Sequence, residues 1–181
     1  MSAGDHGIEQ VGSLQEFFRE ELTLAFQRTG LETSEETEAY LVHLLDGYLR
    51  VDADTSQELG FEKPAALLLE EAMSSVGDRR IEIYRRLGDA SLYNCGFFRE
   101  RLTRKIGPEY YQQVGRTAYR SLEEMMGFKQ PGGIFHAIYR ELAAKFDEVV
   151  EALRIFGAKP APSDPFAALT AGFYPLATFK D

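Results

Sequence analysis

The stretch DRRIEIYRRLGDASLYNCGFFRERLTRKI, residues 78–106, decides the fold class of this 181-residue chain. Apolar and small residues recur in it every three or four positions, which is the spacing of one face of a helix. The stretch therefore predicts one long helix, or two helices that meet at a soft joint near Gly88. The residues of this stripe are Tyr84, Leu87, Ser91, Cys95, Phe98, Leu102 and Ile106.

The middle of the stripe is small, because Gly88, Ser91 and Cys95 fall close to one line. Small residues on a helix face either let a second helix approach closely or leave room for a ligand. The polar side chains beside them form the candidate ligand-binding site. They are Arg85, Arg86, Asp89, Tyr93 and Asn94.

The charges of this candidate site have two interpretations. Arg85 and Arg86 precede Asp89 by four and three residues, so either arginine can meet the carboxylate on one helix. An ion pair that orients the helix is the first interpretation. The second is that the arginines bind a small anionic ligand or an acidic partner. Further hydroxyl contacts to such a ligand could come from Tyr110, Tyr111 and Tyr119, although tyrosines at helical spacing are more typical of a core rim.

Helical patterns outside this stretch make the predicted fold all-α, a single-domain bundle of about six helices. Ser13 and Thr33 each have a glutamate three residues later, a capping box that predicts a helix start. Gly77 should end the third helix and Asp78 should cap the central one. The third helix has the predicted core face Leu68, Leu69, Ala72, Met73 and Val76. The last helix ends at Gly157, with the predicted core face Phe135, Ile138, Leu142, Phe146, Val149, Leu153 and Phe156.

The predicted domain organisation is a flexible N-terminus over residues 1–12, a helical domain over residues 13–157 and an extended tail over residues 158–181. The tail is rich in proline, which opposes a long helix. It is also too apolar to remain in water, so we expect it to dock on the domain or on a partner. Its prolines are at positions 160, 162, 165 and 175, and its large apolar residues are Phe166, Phe173, Tyr174, Leu176 and Phe179.

Composition limits the partners and the location of the protein. The net charge of −9 argues against a broad nucleic-acid surface and disfavours binding to anionic membranes. No apolar run is long enough to span a membrane and no signal peptide is recognisable, so a cytoplasmic location is expected. Cys95 is the single cysteine, which excludes an intramolecular disulfide. On a helix stripe it is expected to be buried and chemically quiet.

No motif in the sequence indicates catalysis, so we predict no catalytic residue, no metal ligand and no cofactor. The leading hypothesis is a non-enzymatic helical protein that acts through protein–protein contact or self-association, for example as a homodimer. The alternative is a small-molecule-binding or enzymatic bundle with a pocket beside the small-residue stripe. An enclosed cavity at the stripe favours the alternative, whereas a large apolar surface favours the leading hypothesis.

Overall fold

The structure is a computed structural model that describes residues 6–49, 65–99 and 107–157. Within these ranges it contains seven helices and no strand, so the all-α prediction is confirmed and the predicted number of helices is one too low. The helices are α1 (His6–Thr29), α2 (Glu35–Leu49), α3 (Ala65–Ser74), α4 (Gly77–Phe97), α5 (Pro108–Lys129), α6 (Ile134–Ala144) and α7 (Phe146–Gly157). The predicted tail lies outside the described residues.

Helix α4 holds the centre of the described fold, because α3, α5 and α7 all pack against it. Helix α1 packs against α2 and α7, and α6 packs against α5 and α2. Aromatic side chains fill much of the interior, and Phe18, Tyr119 and Phe146 are fully buried. The stripe residues Leu87, Ser91 and Cys95 are also buried, as their helical spacing predicted.

Helix α4 is continuous through Gly88 but shorter than predicted. It ends at Phe97, so the continuous helix to Ile106 is wrong. Phe98 leaves the helical conformation with φ −125° and ψ 29°. Both Phe97 and Phe98 then pack against the ring of Tyr93, at centroid distances of 4.8 Å and 5.7 Å. These aromatic contacts stabilise the point at which the chain leaves the helix.

The helix that was predicted to run unbroken to Gly157 is divided at Lys145, and this division accounts for the seventh helix. Lys145 has φ −110° and ψ 23°, outside the helical region. Its Nζ donates hydrogen bonds to the carbonyl oxygen of Glu32 at 2.6 Å and to Oε1 of Glu141 at 2.9 Å. The change of direction places Phe146 against Gly115 of α5.

The start of α2 is capped by Ser34 and not by Thr33, which corrects the predicted capping box. The Oγ of Ser34 accepts a hydrogen bond from the backbone N–H of Thr37 at 3.2 Å. Glu141 of α6 accepts hydrogen bonds from the Ser34 backbone N–H and Oγ, at 3.1 Å and 2.8 Å. The Oγ1 of Thr33 is buried and has no hydrogen-bond partner among the described residues. Ser34 takes the cap because Glu141 fixes its position from a neighbouring helix.

Three other predicted helix ends are displaced. Helix α1 begins at His6 and not at Ser13, and α3 ends at Ser74, before Gly77. Helix α4 begins at Gly77 without a side-chain cap, so Asp78 lies in its first turn, where a carboxylate suits the helix dipole. Gly77 takes a positive φ of 63°, which glycine adopts without strain and which lets the chain turn sharply between α3 and α4.

Cys95 is buried, as predicted. In the three described ranges, no helix is both long enough and apolar enough to cross a membrane.

Candidate functional site

Asp89 of α4 joins three helices through one carboxylate oxygen. Its Oδ1 accepts a hydrogen bond of 2.6 Å from the hydroxyl of Tyr40 on α2. It accepts a second bond of 2.7 Å from the hydroxyl of Tyr119 on α5. Tyr119 is fully buried, whereas Asp89 and Tyr40 are half-buried. The helical stripe predicted none of this, because both tyrosines come from distant parts of the chain.

Burial dominates the protonation of this cluster. Loss of solvation raises the pKa of the Asp89 carboxyl from 3.8 to about 6, although the hydroxyls of Tyr40 and Tyr119 and the charge of Arg85 lower it. Burial and the nearby Asp89 charge raise the pKa of both tyrosines well above the ordinary value. The tyrosines therefore remain neutral donors, and Asp89 is the member of the cluster that can change charge near neutral pH.

The predicted ion pair of Asp89 with Arg85 or Arg86 is wrong. In the part of the chain that the structure describes, the Asp89 carboxylate bonds to tyrosine hydroxyls and to neither arginine. Arg85 is exposed and acts on Asp89 only through its charge. The reason is orientation: Oδ1 turns inward to two hydroxyls, while the guanidinium of Arg85 stays near water, where a charge is well solvated.

The other two predicted site residues take part in packing and in helix hydrogen bonding. Tyr93 is buried, and its ring stacks on Tyr48 of α2 at a centroid distance of 4.2 Å with 7° between the planes. The Nδ2 of Asn94 donates a 2.7 Å hydrogen bond to the carbonyl oxygen of Ala90 on its own helix. Tyr93 thus faces α2 alongside the Asp89 cluster, and the amide of Asn94 is used locally.

The sequence offered Tyr110, Tyr111 and Tyr119 as further hydroxyl contacts to a ligand. Of these three, Tyr119 is the one that bonds to Asp89. Tyr110 and Tyr111 meet edge-on at 5.5 Å near the start of α5. The structure adds Tyr40, Tyr48 and Tyr139, which the sequence did not single out. Tyr139 of α6 packs against Tyr40 and Tyr119, at centroid distances of 5.9 Å and 6.1 Å. The only sequence signal for them was the recurrence of tyrosine on predicted apolar faces, which does not identify a partner.

Side chains fill the space above the small-residue stripe. A Cβ added to Gly88 would lie 3.0 Å from the ring of Tyr119, and one added to Gly96 would lie 2.7 Å from the Cβ of Leu153. A Cβ on Gly115 of α5 would lie 2.8 Å from that of Ser91. The small residues therefore let α5 and α7 approach α4 closely, which supports the close-approach interpretation of the stripe.

A second candidate site lies where the α3–α4 turn meets the α5–α6 turn. Lys129 at the end of α5 forms an ion pair with Asp78 at the start of α4, which brings the two turns together. Four large apolar side chains on or next to these two turns are exposed, and we call them the turn surface. They are Val76 (82% exposed), Phe128 (92%), Ile134 (63%) and Phe135 (49%).

The outer side of α3 carries an open groove of about 480 Å³. Met73 and Val76 are exposed, so the predicted core face of the third helix is partly wrong. Phe135 of α6 is exposed as well, which corrects the predicted core face of the last helix. Leu68 and Ala72 are buried as predicted. The groove is lined by Ala66, Leu69, Glu70, Met73, Ser74 and Tyr110.

The described residues bring together no group of three or more histidine, cysteine, aspartate or glutamate side chains that could hold a metal ion. Comparison of the chain with protein-family models finds no match, and no curated protein and no solved structure is significantly similar to it.

Proposed function

We propose that this protein is a non-enzymatic interaction protein that self-associates through the turn surface. The observation that carries the proposal is that four large apolar side chains, at Val76, Phe128, Ile134 and Phe135, are exposed on or next to two turns that the Lys129–Asp78 ion pair joins. Soluble monomers rarely keep a large contiguous apolar patch in water, so such patches mark interaction sites. Covering one such side chain completely contributes about 1.5–3 kcal/mol.

The charges beside the turn surface favour a second copy of the chain as the occupant. Lys129 pairs with Asp78, and Arg79 pairs with Glu71 at 2.9 Å. Because these charges are balanced within one chain, they do not select an oppositely charged partner. They also leave two copies free to meet despite the overall net charge of −9.

We also propose the division of the chain into a terminal segment, a helical domain and a tail that the sequence predicts. The helices form a single-domain bundle over residues 13–157, followed by the docking tail 158–181, and the N-terminal segment 1–12, which includes the first turns of α1, frays from this bundle. A cytoplasmic location is also part of the proposal, since a reducing compartment suits a chain whose only cysteine is a free thiol.

Sedimentation velocity of the purified protein over about a hundredfold range of concentration tests the proposal. We expect the average mass to rise toward that of a dimer for the wild type. Phe128→Asp places a charge at the most exposed position of the turn surface and should keep the protein monomeric.

Leu24→Asp is the matched control, because Leu24 is an exposed leucine of α1 (41%) that lies outside the turn surface. This variant should associate as the wild type does. A wild type that remains monomeric throughout, or equal loss of association in both variants, would contradict self-association through this surface.

A small-molecule site at the Asp89 cluster is the second candidate function, favoured by the raised pKa of its carboxyl. An anionic ligand would be recognised by Arg85 and Arg86, with Tyr93 and Asn94 beside them. Native mass spectrometry of the purified protein reports a co-purified ligand and the oligomeric state together. A ligand that is retained by the wild type and lost in Arg85→Gln would favour this candidate.

A further inference from the structure

The open groove beside α3 lies between that helix and the start of α5. Leu69 and Met73 of α3 contribute to its apolar surface, and the half-buried ring of Tyr110 contributes from α5. Tyr110 meets Tyr111 edge-on at a centroid distance of 5.5 Å, a contact that helps to hold the ring of Tyr110 in place. The groove therefore presents an aromatic ring and two apolar side chains to a bound segment.

The last described residue, Gly157, lies near this groove. A Cβ added to Gly157 would lie 2.9 Å from the ring of Phe97 at the end of α4. Two residues earlier on α4, the Sγ of Cys95 lies 3.8 Å from the carbonyl oxygen of Pro108, and Tyr110 follows Pro108 by two residues. Because each step is one contact or two residues of chain, Gly157 lies within about 25 Å of Tyr110.

The residues that follow Gly157 have the composition of segments that bind to aromatic grooves. Prolines recur at Pro160, Pro162 and Pro165, and the last two have the spacing Pro-x-x-Pro. This pattern favours the polyproline II conformation, which is largely formed before binding and so loses little entropy on docking. Eight residues of this conformation, the number from Gly157 to Pro165, span about 25 Å, so the prolines can reach Tyr110.

We propose that the groove between α3 and α5 is a binding site for a proline-rich segment and that residues 160–165 of the same chain occupy it. Pro162 and Pro165 lie on one side of a polyproline II helix, because this helix has three residues per turn. Their rings pack on Tyr110, the aromatic contact by which such segments are recognised. The carbonyl oxygens of the segment have no partner within it, so one can accept a hydrogen bond from the Tyr110 hydroxyl. This assignment rests on the docking of the tail proposed above and gives it a site on the domain.

Two features favour this occupant over other peptides. Covalent attachment through a short linker holds the segment near the groove at an effective concentration in the millimolar range, which a free peptide would have to match. An extended peptide that binds by adding a strand requires a sheet edge, and the described ranges of the chain contain no strand. Packing of proline rings on an aromatic side chain requires no such edge.

Photo-crosslinking in the intact chain tests the assignment. Glu70, an exposed residue that lines the groove, is replaced by p-benzoylphenylalanine, and crosslinked peptides are identified by mass spectrometry. We expect crosslinks to the peptide that contains residues 160–165. In a mixture of isotopically heavy and light protein, each crosslink should join peptides of one isotopic type, because it forms within one chain. The same crosslinking residue at Leu24, exposed on α1 outside the groove, should not reach this segment.

Variants on both sides of the contact complete the test. Replacement of Pro160, Pro162 and Pro165 by alanine removes the stiffness and the rings of the segment without changing the helices, and the crosslink yield should fall several-fold. Tyr110→Ala should reduce the yield from the side of the groove. Phe128→Ala is the matched control, because it removes an exposed ring outside the groove, and it should leave the yield unchanged.

Crosslinks from position 70 to residues 50–64 or 100–106 in place of the tail would show that another segment occupies the groove, and the assignment would be wrong. Crosslinks between heavy and light chains, no crosslink to the tail, or an undiminished yield in the proline variant overturns it as well. Self-association is measured separately by sedimentation velocity. A protein that forms dimers through the turn surface but gives no crosslink to the tail therefore refutes this assignment alone.

Discussion

Asp89 and Cys95 lie on the same helix, and burial raises the pKa of both, but the consequences differ. The pKa of the Cys95 thiol is raised to about 12, mainly by burial, so the thiol stays protonated near neutral pH. Its Sγ lies 3.8 Å from the carbonyl oxygen of Pro108, where it fills the contact between α4 and the start of α5. Thiol chemistry requires the thiolate and access to it, and this position provides neither.

We therefore expect Cys95 to react with a thiol-specific reagent only when the protein unfolds. Native protein should be labelled slowly, and denatured protein should be labelled rapidly with one equivalent. The double variant Cys95→Ala with Leu24→Cys supplies a reference thiol at an exposed position outside the turn surface and should react at once. Rapid labelling of the native wild type would mean that the contact of α4 with α5 is open in solution.

At the level of the elements, helices α4, α5 and α7 pack closely because the glycines at their contacts carry no side chain that would hold the helices apart. The rings of Tyr119 and Phe146 occupy the space where a Cβ of Gly88 or Gly115 would lie. Such close packing brings Tyr119 within reach of Asp89, so the hydrogen-bonded cluster requires the small residues beside it. Packing of this density tolerates little additional volume.

Two glycine-to-alanine substitutions distinguish the effect of crowding on the free energy of unfolding from the effect of helix propensity. Gly115→Ala would place a Cβ within 2.6 Å of the Phe146 ring and should lower the free energy of unfolding by about 1–3 kcal/mol. Gly47→Ala on α2 has nothing within 4 Å of the new Cβ and should raise it by about 0.5–1 kcal/mol. Urea denaturation followed by far-ultraviolet circular dichroism measures both values. Equal effects of the two substitutions would argue against the close approach of α5 to α4.

The sequence predicted the helical elements well because each amphipathic stripe depends on residues near one another in the chain. Their ends were harder to predict, because contacts from distant residues decide them. Ser34 caps α2 because Glu141, 107 residues away, binds it. The division at Lys145 was hidden because Leu142, Phe146 and Val149 keep a helical spacing across it and all are buried.

Across the whole molecule, the candidate site was predicted only in part. The helical spacing put Asp89 at its centre, but the partners of Asp89 lie 49 and 30 residues away. Local spacing therefore favoured Arg85, four residues away, over Tyr40 and Tyr119. The same limit applies to Met73 and Val76, since an apolar stripe does not reveal whether another element covers it.

Residues 158–181, the C-terminal tail, lie outside the described residues, and their composition predicts that the tail docks on an apolar surface. Prolines stiffen this segment, which reduces the entropy lost when it docks. Five large apolar residues, Phe166, Phe173, Tyr174, Leu176 and Phe179, could each contribute about 1.5–3 kcal/mol if fully covered. The open groove beside α3 is an apolar surface that the same chain could cover, so we expect the tail to dock on its own domain.

Truncation after Gly157 should then lower the melting temperature and leave the mass in solution unchanged. Serine at Phe166, Phe173 and Phe179 is the matched control, because it keeps the length of the tail and removes much of its apolar surface; it should lower the melting temperature in part. Loss of a dimer with a folded monomer remaining would instead place the tail in an interface between chains. A truncated protein with the melting temperature, solubility and mass of the full chain would show that the tail does not dock, and the apolar surface beside α3 would then have to be covered by another segment or by a partner.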